Sequence, residues 1–222
     1  MWAGTLAHIS MRTFVIEILQ KGENYEEAEL RIYKILLAMR LYKEDDVFVK
    51  VIWYEKESKV STLTILDPPL PERMPLPYVV DLKEINNIRK LTKKLDTTDF
   101  NKRISFRIAC ERFNRSYEEH KDDEKIIDFM IAFESLFLKG EKAPANIGQF
   151  IGLGCSMLLG NNDKEREEIN EFLVRAYTVR NKIVHGSEFI ANSIKIRNET
   201  YEIEDFISQL QEYLRKSIKK LL

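Results

Sequence analysis

Residues 163–186, DKEREEINEFLVRAYTVRNKIVHG, decide the reading of this chain. The stretch follows a helical pattern from about Asp163, and Gly186 stands where a helix would stop. The stretch closes on Arg180-Asn181-Lys182-Ile183-Val184-His185, an Arg-x-x-x-x-His pattern at a helix end. Arg carries a permanent charge on a fork that fits a phosphate. His moves protons near neutral pH. Together they can cut RNA without a metal, so Arg180 and His185 are the candidate catalytic pair.

Five positions along a helix turn by about 140°, so Arg180 and His185 do not share one face. Two antiparallel copies across a two-fold axis would gather both pairs in one groove. Asn181 lies one turn before His185 and shares its face, placed to orient the imidazole or a phosphate oxygen. His185 falls in the last turn, where the helix dipole favours a cation. Lys182 is a further candidate for holding substrate.

Outward from this stretch the chain divides at residue 80. Residues 81–222 read as helical throughout: Asp81 to Leu95, a long helix from an Asp99 cap to about His120, Glu124 to Lys139 ending at Gly140, Gly148 to Leu159 ending at Gly160, Asp163 to His185, and Tyr201 to Leu221. A short irregular or extended segment falls around Ile194 to Arg197. Successive helices on short turns predict a bundle.

Residues 1–80 read as a smaller α+β region. Tyr25 to Tyr42 has helical periodicity. Val47 to Tyr54 and Val60 to Leu66 predict a hairpin across a polar link, and Phe14 to Leu19 a further strand. All but one of the six prolines lie between Asp67 and Pro77, an extended connector. The fold class expected is mainly α, a helical bundle preceded by an α+β region with a β-hairpin.

At 222 residues, with 44% apolar and 32% charged residues, the composition is that of an ordinary globular protein. A net charge of -1 supplies no bulk field for nucleic acid, so an RNA site would have to be local. Two cysteines without metal or redox spacing, the lack of a signal-like N-terminus and the absence of a long apolar run lead to a cytoplasmic expectation, with no membrane partner.

Other chemistries lack their signatures. His8, His120 and His185 have no zinc-type partners at helical spacing, and neither a metal nor a cofactor is expected. Gly152-Leu153-Gly154 is no dinucleotide fingerprint, since Met157 stands where the third glycine belongs; small residues there let helices approach closely. Gly154-Cys155-Ser156 is no nucleophile elbow.

Phe106 to Tyr117 (FRIACERFNRSY), Ile127 to Leu138 (IDFMIAFESLFL), Met157 to Gly160 (MLLG) and Arg166 to Gly186 resemble the HEPN superfamily, nearest its ApeA-like branch. The resemblance covers the chain from about Asp99 onward. Its strongest element is Tyr177-x-x-Arg180-Asn181-x-x-Val184-His185-Gly186, with the helix around Glu134 upstream. The branch often carries a basic residue before MLLG; Gly152 to Ser156 has none.

The resemblance implies an all-α bundle that dimerises so that two Arg-His motifs meet in one cleft. It implies a metal-independent endoribonuclease of toxin or anti-phage defence type, leaving 2′,3′-cyclic phosphate ends, with an antitoxin or partner protein as a further partner. It equally includes non-catalytic modules that bind RNA, nucleotide or a protein. Glu134 on its apolar face is a candidate partner for Arg180 or Arg175, as a structural ion pair or in support of catalysis. Tyr177 is placed to stack on a base or to pack in the core. Arg103, Arg107, Arg112 and Arg115 form a basic edge, either tracking phosphates, with Arg107 as substrate contact, or solvated beside Glu111 and Glu118.

Overall fold

A computed structural model describes residues 25–44, 47, 51–56, 59–65, 80–119, 121–138, 145–186 and 193–222. In chain order its elements are α1 (Tyr25–Tyr42), β1 (Val51–Lys56), β2 (Lys59–Ile65), α2 (Leu82–Thr97), α3 (Ile104–Arg115), α4 (Asp122–Phe137), α5 (Ile147–Leu159), α6 (Asp163–Val184), β3 (Ser193–Ile196), β4 (Glu199–Glu202) and α7 (Ile203–Leu221). The protein is mainly helical, with antiparallel hairpins β1–β2 and β3–β4.

Sequence signals set both ends of α6. Asn162 accepts the backbone N–H of Glu165 at 2.9 Å, satisfying one of the donors a helix start leaves open. At the other end the N–H of His185 still reaches the carbonyl of Asn181, and Gly186 adopts φ +66°, which only glycine enters without strain. Helix α2 starts on a reciprocal cap: Asp81 accepts from the Glu84 N–H while Glu84 accepts from the Asp81 N–H.

The buried face of α6 carries Phe172, Leu173 and Ala176, against α4, α5 and α7. Phe172 stacks on Phe206 at 4.9 Å and meets Tyr201 and Tyr213 edge-on. Burying each such side chain stabilises by about 1.5–3 kcal/mol. Helix α7 contributes Phe206, Ile207, Leu210, Leu214 and Ile218 at helical spacing, and α4 contributes Phe129, Met130 and Phe133.

Glycines bring α5 and α6 together, as the sequence anticipates. A Cβ at Gly152 would stand 2.4 Å from Asn170 Oδ1 and 2.8 Å from the Asn170 carbonyl. A Cβ at Gly148 would meet the Tyr177 ring at 3.1 Å, and one at Gly160 would meet Arg166. These contacts order the two helices antiparallel.

Helix α1 joins the same core through Leu37, Ala38 and Leu41. Its Arg40 is fully buried. Arg40 Nη2 and Nε donate to the Val47 carbonyl at 2.8 and 3.2 Å, and Nη1 donates to the Asn114 carbonyl at 2.8 Å. Its guanidinium lies 4.7 Å from the Tyr117 ring centroid, and Glu118 stands 3.7 Å away as counter-ion. Arg215 of α7 donates to the Arg40 carbonyl and to the Tyr117 hydroxyl.

Several boundaries differ from the sequence reading. The helix expected from Asp99 begins at Ile104, because the Asp99 carboxylate instead accepts the N–H groups of Asn101 and Lys102 in a local turn. The segment around Ile194 is the first strand of a hairpin whose second strand takes Tyr201, so the last helix starts at Ile203. Tyr201 pairs with Ile194 and packs on Phe172, which fixes the hairpin against α6. The expected strand Phe14 to Leu19, the proline-rich connector, His120 and the Gly140 stop lie outside the described residues.

Candidate functional site

Arg180 sits on the side of α6 that faces α4. Its Nη2 lies 3.6 Å from Glu134 Oε1, and its Nη1 donates to Asn181 Oδ1 at 3.1 Å. Its guanidinium carbon stands 5.8 Å from the centre of the Tyr177 ring, while Tyr177 itself fills the space over Gly148. The structure thus brings Glu134, Tyr177, Arg180 and Asn181 into one group. The Arg180 side chain is 22% exposed and that of Glu134 25%, so the pair is held at the rim of the bundle with an edge open to water. Arg180 Nε is buried and has no acceptor. Burial pushes the Glu134 carboxyl above its usual range, against the pull of Arg180.

His185 caps the C-terminal end of α6 and is exposed. No hydrogen bond or ion pair joins it to Arg180 or to the Asn181 side chain among the described residues; the Asn181 amide oxygen serves Arg180, and the Asn181 carbonyl takes the His185 N–H. The helical phase explains the separation: Arg180 turns toward α4 while His185 points elsewhere. Lys182 is exposed beside it. Arg107 is on α3, paired with Glu111 at 2.8 Å, and is not part of the Arg180 group. Arg112 and Arg115 hold the buried Asp128 at 2.7 and 3.4 Å, and Arg103 donates to the Leu221 carbonyl, so the basic edge of α3 is largely engaged within the bundle.

A second cluster escaped the sequence reading. A cavity of about 230 Å³ opens between α5, α6 and β3, with Arg175 and Lys195 in its lining. Counted at 100° per residue, Glu171, Arg175, Thr178, Lys182 and His185 fall within about 80° of one another around α6. That sector was countable from the sequence; the arrival of Lys195 and Arg197 from the hairpin was not. An acidic groove of about 610 Å³, which includes Glu44, Glu199, Asp205 and Glu212, occupies another part of the surface.

Three exposed apolar residues, Phe150, Leu153 and Met157, form a stripe along the outer face of α5. Because α5 runs antiparallel to α6, the Phe150 end of the stripe lies near Tyr177, toward the end of α6 where Val184 is 50% exposed. Among the described residues no three His, Cys, Asp or Glu side chains converge as metal ligands would, and no helix is long and apolar enough to cross a membrane. Compared with known proteins, the chain matches no family model, no curated protein and no solved structure.

Proposed function

We propose that this protein is a metal-independent endoribonuclease of HEPN type, acting as a homodimer in anti-phage defence or as a toxin. The observation that carries the reading is a partly buried arginine, Arg180, fixed by Glu134, Asn181 and Tyr177, five residues before the exposed His185 that ends the same helix. The α5 stripe of Phe150, Leu153 and Met157 supports a second copy as partner, since an exposed apolar band of this kind favours association. A two-fold axis near that end would set the two Arg180–His185 pairs in one groove.

In that groove a neutral His185 imidazole takes the proton of the ribose 2′-OH, and the 2′ oxygen attacks the adjacent phosphorus. The imidazolium of the other copy's His185 gives its proton to the departing 5′ oxygen. Arg180 stabilises the charge on the equatorial oxygens of the phosphorane-like transition state. The products are a 2′,3′-cyclic phosphate and a 5′-hydroxyl. Lys182 and Tyr177 contribute to holding the strand, and an antitoxin or other partner protein would silence or trigger the site.

The test is incubation of a labelled RNA pool with the purified protein in excess EDTA, with end groups identified by mass spectrometry. Cyclic-phosphate ends that vanish with His185→Ala support the reading. A folded dimer that leaves RNA intact favours the second reading, a non-catalytic module binding RNA, nucleotide or a protein. The observation behind that alternative is that Glu134 already neutralises Arg180 within one copy.

A further inference from the structure

We propose that the cavity between α5, α6 and β3 is a phosphate-binding site for an RNA strand, with Arg175 and Lys195 as its cationic ligands; the identity of the ligand as RNA rests on the ribonuclease reading above. The cavity has a volume of about 230 Å³, and Gln149, Asn170, Glu171, Arg175, Lys195 and Arg197 are among the residues that line it. Glu171 precedes Arg175 by one helical turn, the spacing at which a glutamate ordinarily pairs with an arginine on a helix. Here Arg197 takes Glu171 instead and also holds Glu167 at 2.7 Å. Arg197 does so from the tip of the β3–β4 hairpin, in left-handed backbone at φ +53°. The conformation is unfavourable for a residue with a Cβ, and two carboxylates on α6 maintain it.

The consequence falls on Arg175. Its Nε is buried with no hydrogen-bond partner, and among the described residues neither Arg175 nor Lys195 has a carboxylate. Two cations without a carboxylate of their own therefore line one cavity, whose anion, Glu171, is taken by Arg197. A partly buried guanidinium in that state bears a desolvation cost with no compensating attraction. A phosphodiester supplies the missing charge and two oxygens that match the guanidinium fork.

The position suits a strand cut at His185. Arg175 lies ten residues before His185 in the same sector of α6, about 15 Å away along the axis, with Thr178 and Lys182 between them. A strand following that face passes Lys182 and sets a phosphate remote from the scissile one into the cavity. The acidic groove around Glu199 and Glu212 gives no comparable path.

Fluorescence anisotropy of a labelled single-stranded RNA of mixed sequence tests this, with the full chain carrying His185→Ala as parent so that the RNA stays whole. Arg175→Gln and Lys195→Gln, each added to the parent, are expected to weaken binding about tenfold. The double variant should lower the slope of log K against log salt by about 0.7, the contribution of one single-strand phosphate. Lys219→Gln, on the exposed face of α7, should leave affinity unchanged. Lys195 is exposed, so its variant reads the site even where Arg175→Gln lowers stability. Unchanged affinity in Lys195→Gln overturns the inference, and so does a parent that binds no RNA. Weakened binding in both variants, with no cleavage by wild type, supports the site and removes the nuclease reading. Cleavage by wild type with unchanged affinity in the variants removes the site and leaves the nuclease reading standing.

Discussion

Glu134 on α4 and Arg180 on α6 form an ion pair of 3.6 Å across the seam between their helices, and the side chain of Asn181 holds the same guanidinium at 3.1 Å. The pair fixes where the arginine points; it also sets a carboxyl in a partly dry place. Both properties are open to measurement.

Burial outweighs Arg180 at Glu134 and raises its carboxyl above the ordinary glutamate value of 4.5. In the window just above that value the folded protein therefore holds a proton that the unfolded chain has released. Stability contributed at Glu134 falls as pH rises through this window. Glu134→Gln has no such proton, so its Tm should gain on that of wild type as pH rises through the window and lose ground as pH is lowered. Thermal unfolding at a series of pH values checks the sign. A difference that grows in the opposite direction would mean that the Arg180 attraction dominates.

Gly152→Ala should destabilise the bundle although alanine is the better helix former. The propensity gain is about 1 kcal/mol. The new Cβ would stand 2.8 Å from the Asn170 carbonyl, backbone that cannot swing aside, and overpacking of this kind costs about 1–3 kcal/mol. Urea unfolding should give a net loss. A gain would show that α5 and α6 have room to part.

Arg40→Ala should cost about 3–5 kcal/mol, the range for removing one partner from a buried charged network. It leaves the Val47 carbonyl, the Asn114 side chain and Glu118 without their guanidinium. Chemical denaturation measures the loss. A change below about 1 kcal/mol would mean that water replaces the side chain.

Cys110 and Cys155 are fully buried, and burial pushes each thiol up to about 12. Both should resist a thiol reagent such as DTNB at pH near 8 in the native state and react on unfolding. Rapid labelling of either would show local opening of α3 or α5.

Much of this arrangement was written in short-range signals. Gly186 ends α6 and α2 opens at Asp81, both as expected, because such signals act within a turn. That Glu134 needs a cation, Arg180 or Arg175, was legible because it is a lone carboxylate on an apolar helix face; the fold chose Arg180. What escaped depends on distance or on ambiguity. Asp99 carries the signal of a helix cap and of a local turn alike, and tertiary context chose the turn. Tyr201 fits a helical period as well as a strand, and its packing on Phe172 decides for the strand. The capture of Glu171 by Arg197 joins residues on separate elements, and no periodicity announces it. Arg40 was invisible as a core residue because arginine is almost never fully buried unless paired.

The most direct test of the account is the rate of RNA cleavage in excess chelator by wild type, Arg180→Ala, His185→Ala and an equimolar mixture of the two variants. The account predicts chelator-resistant cutting by wild type and none by either variant alone or by their mixture, because a mixed dimer carries only one of the two His185 side chains that the reaction uses. Cleavage that persists in His185→Ala, or that requires a metal ion, would contradict it.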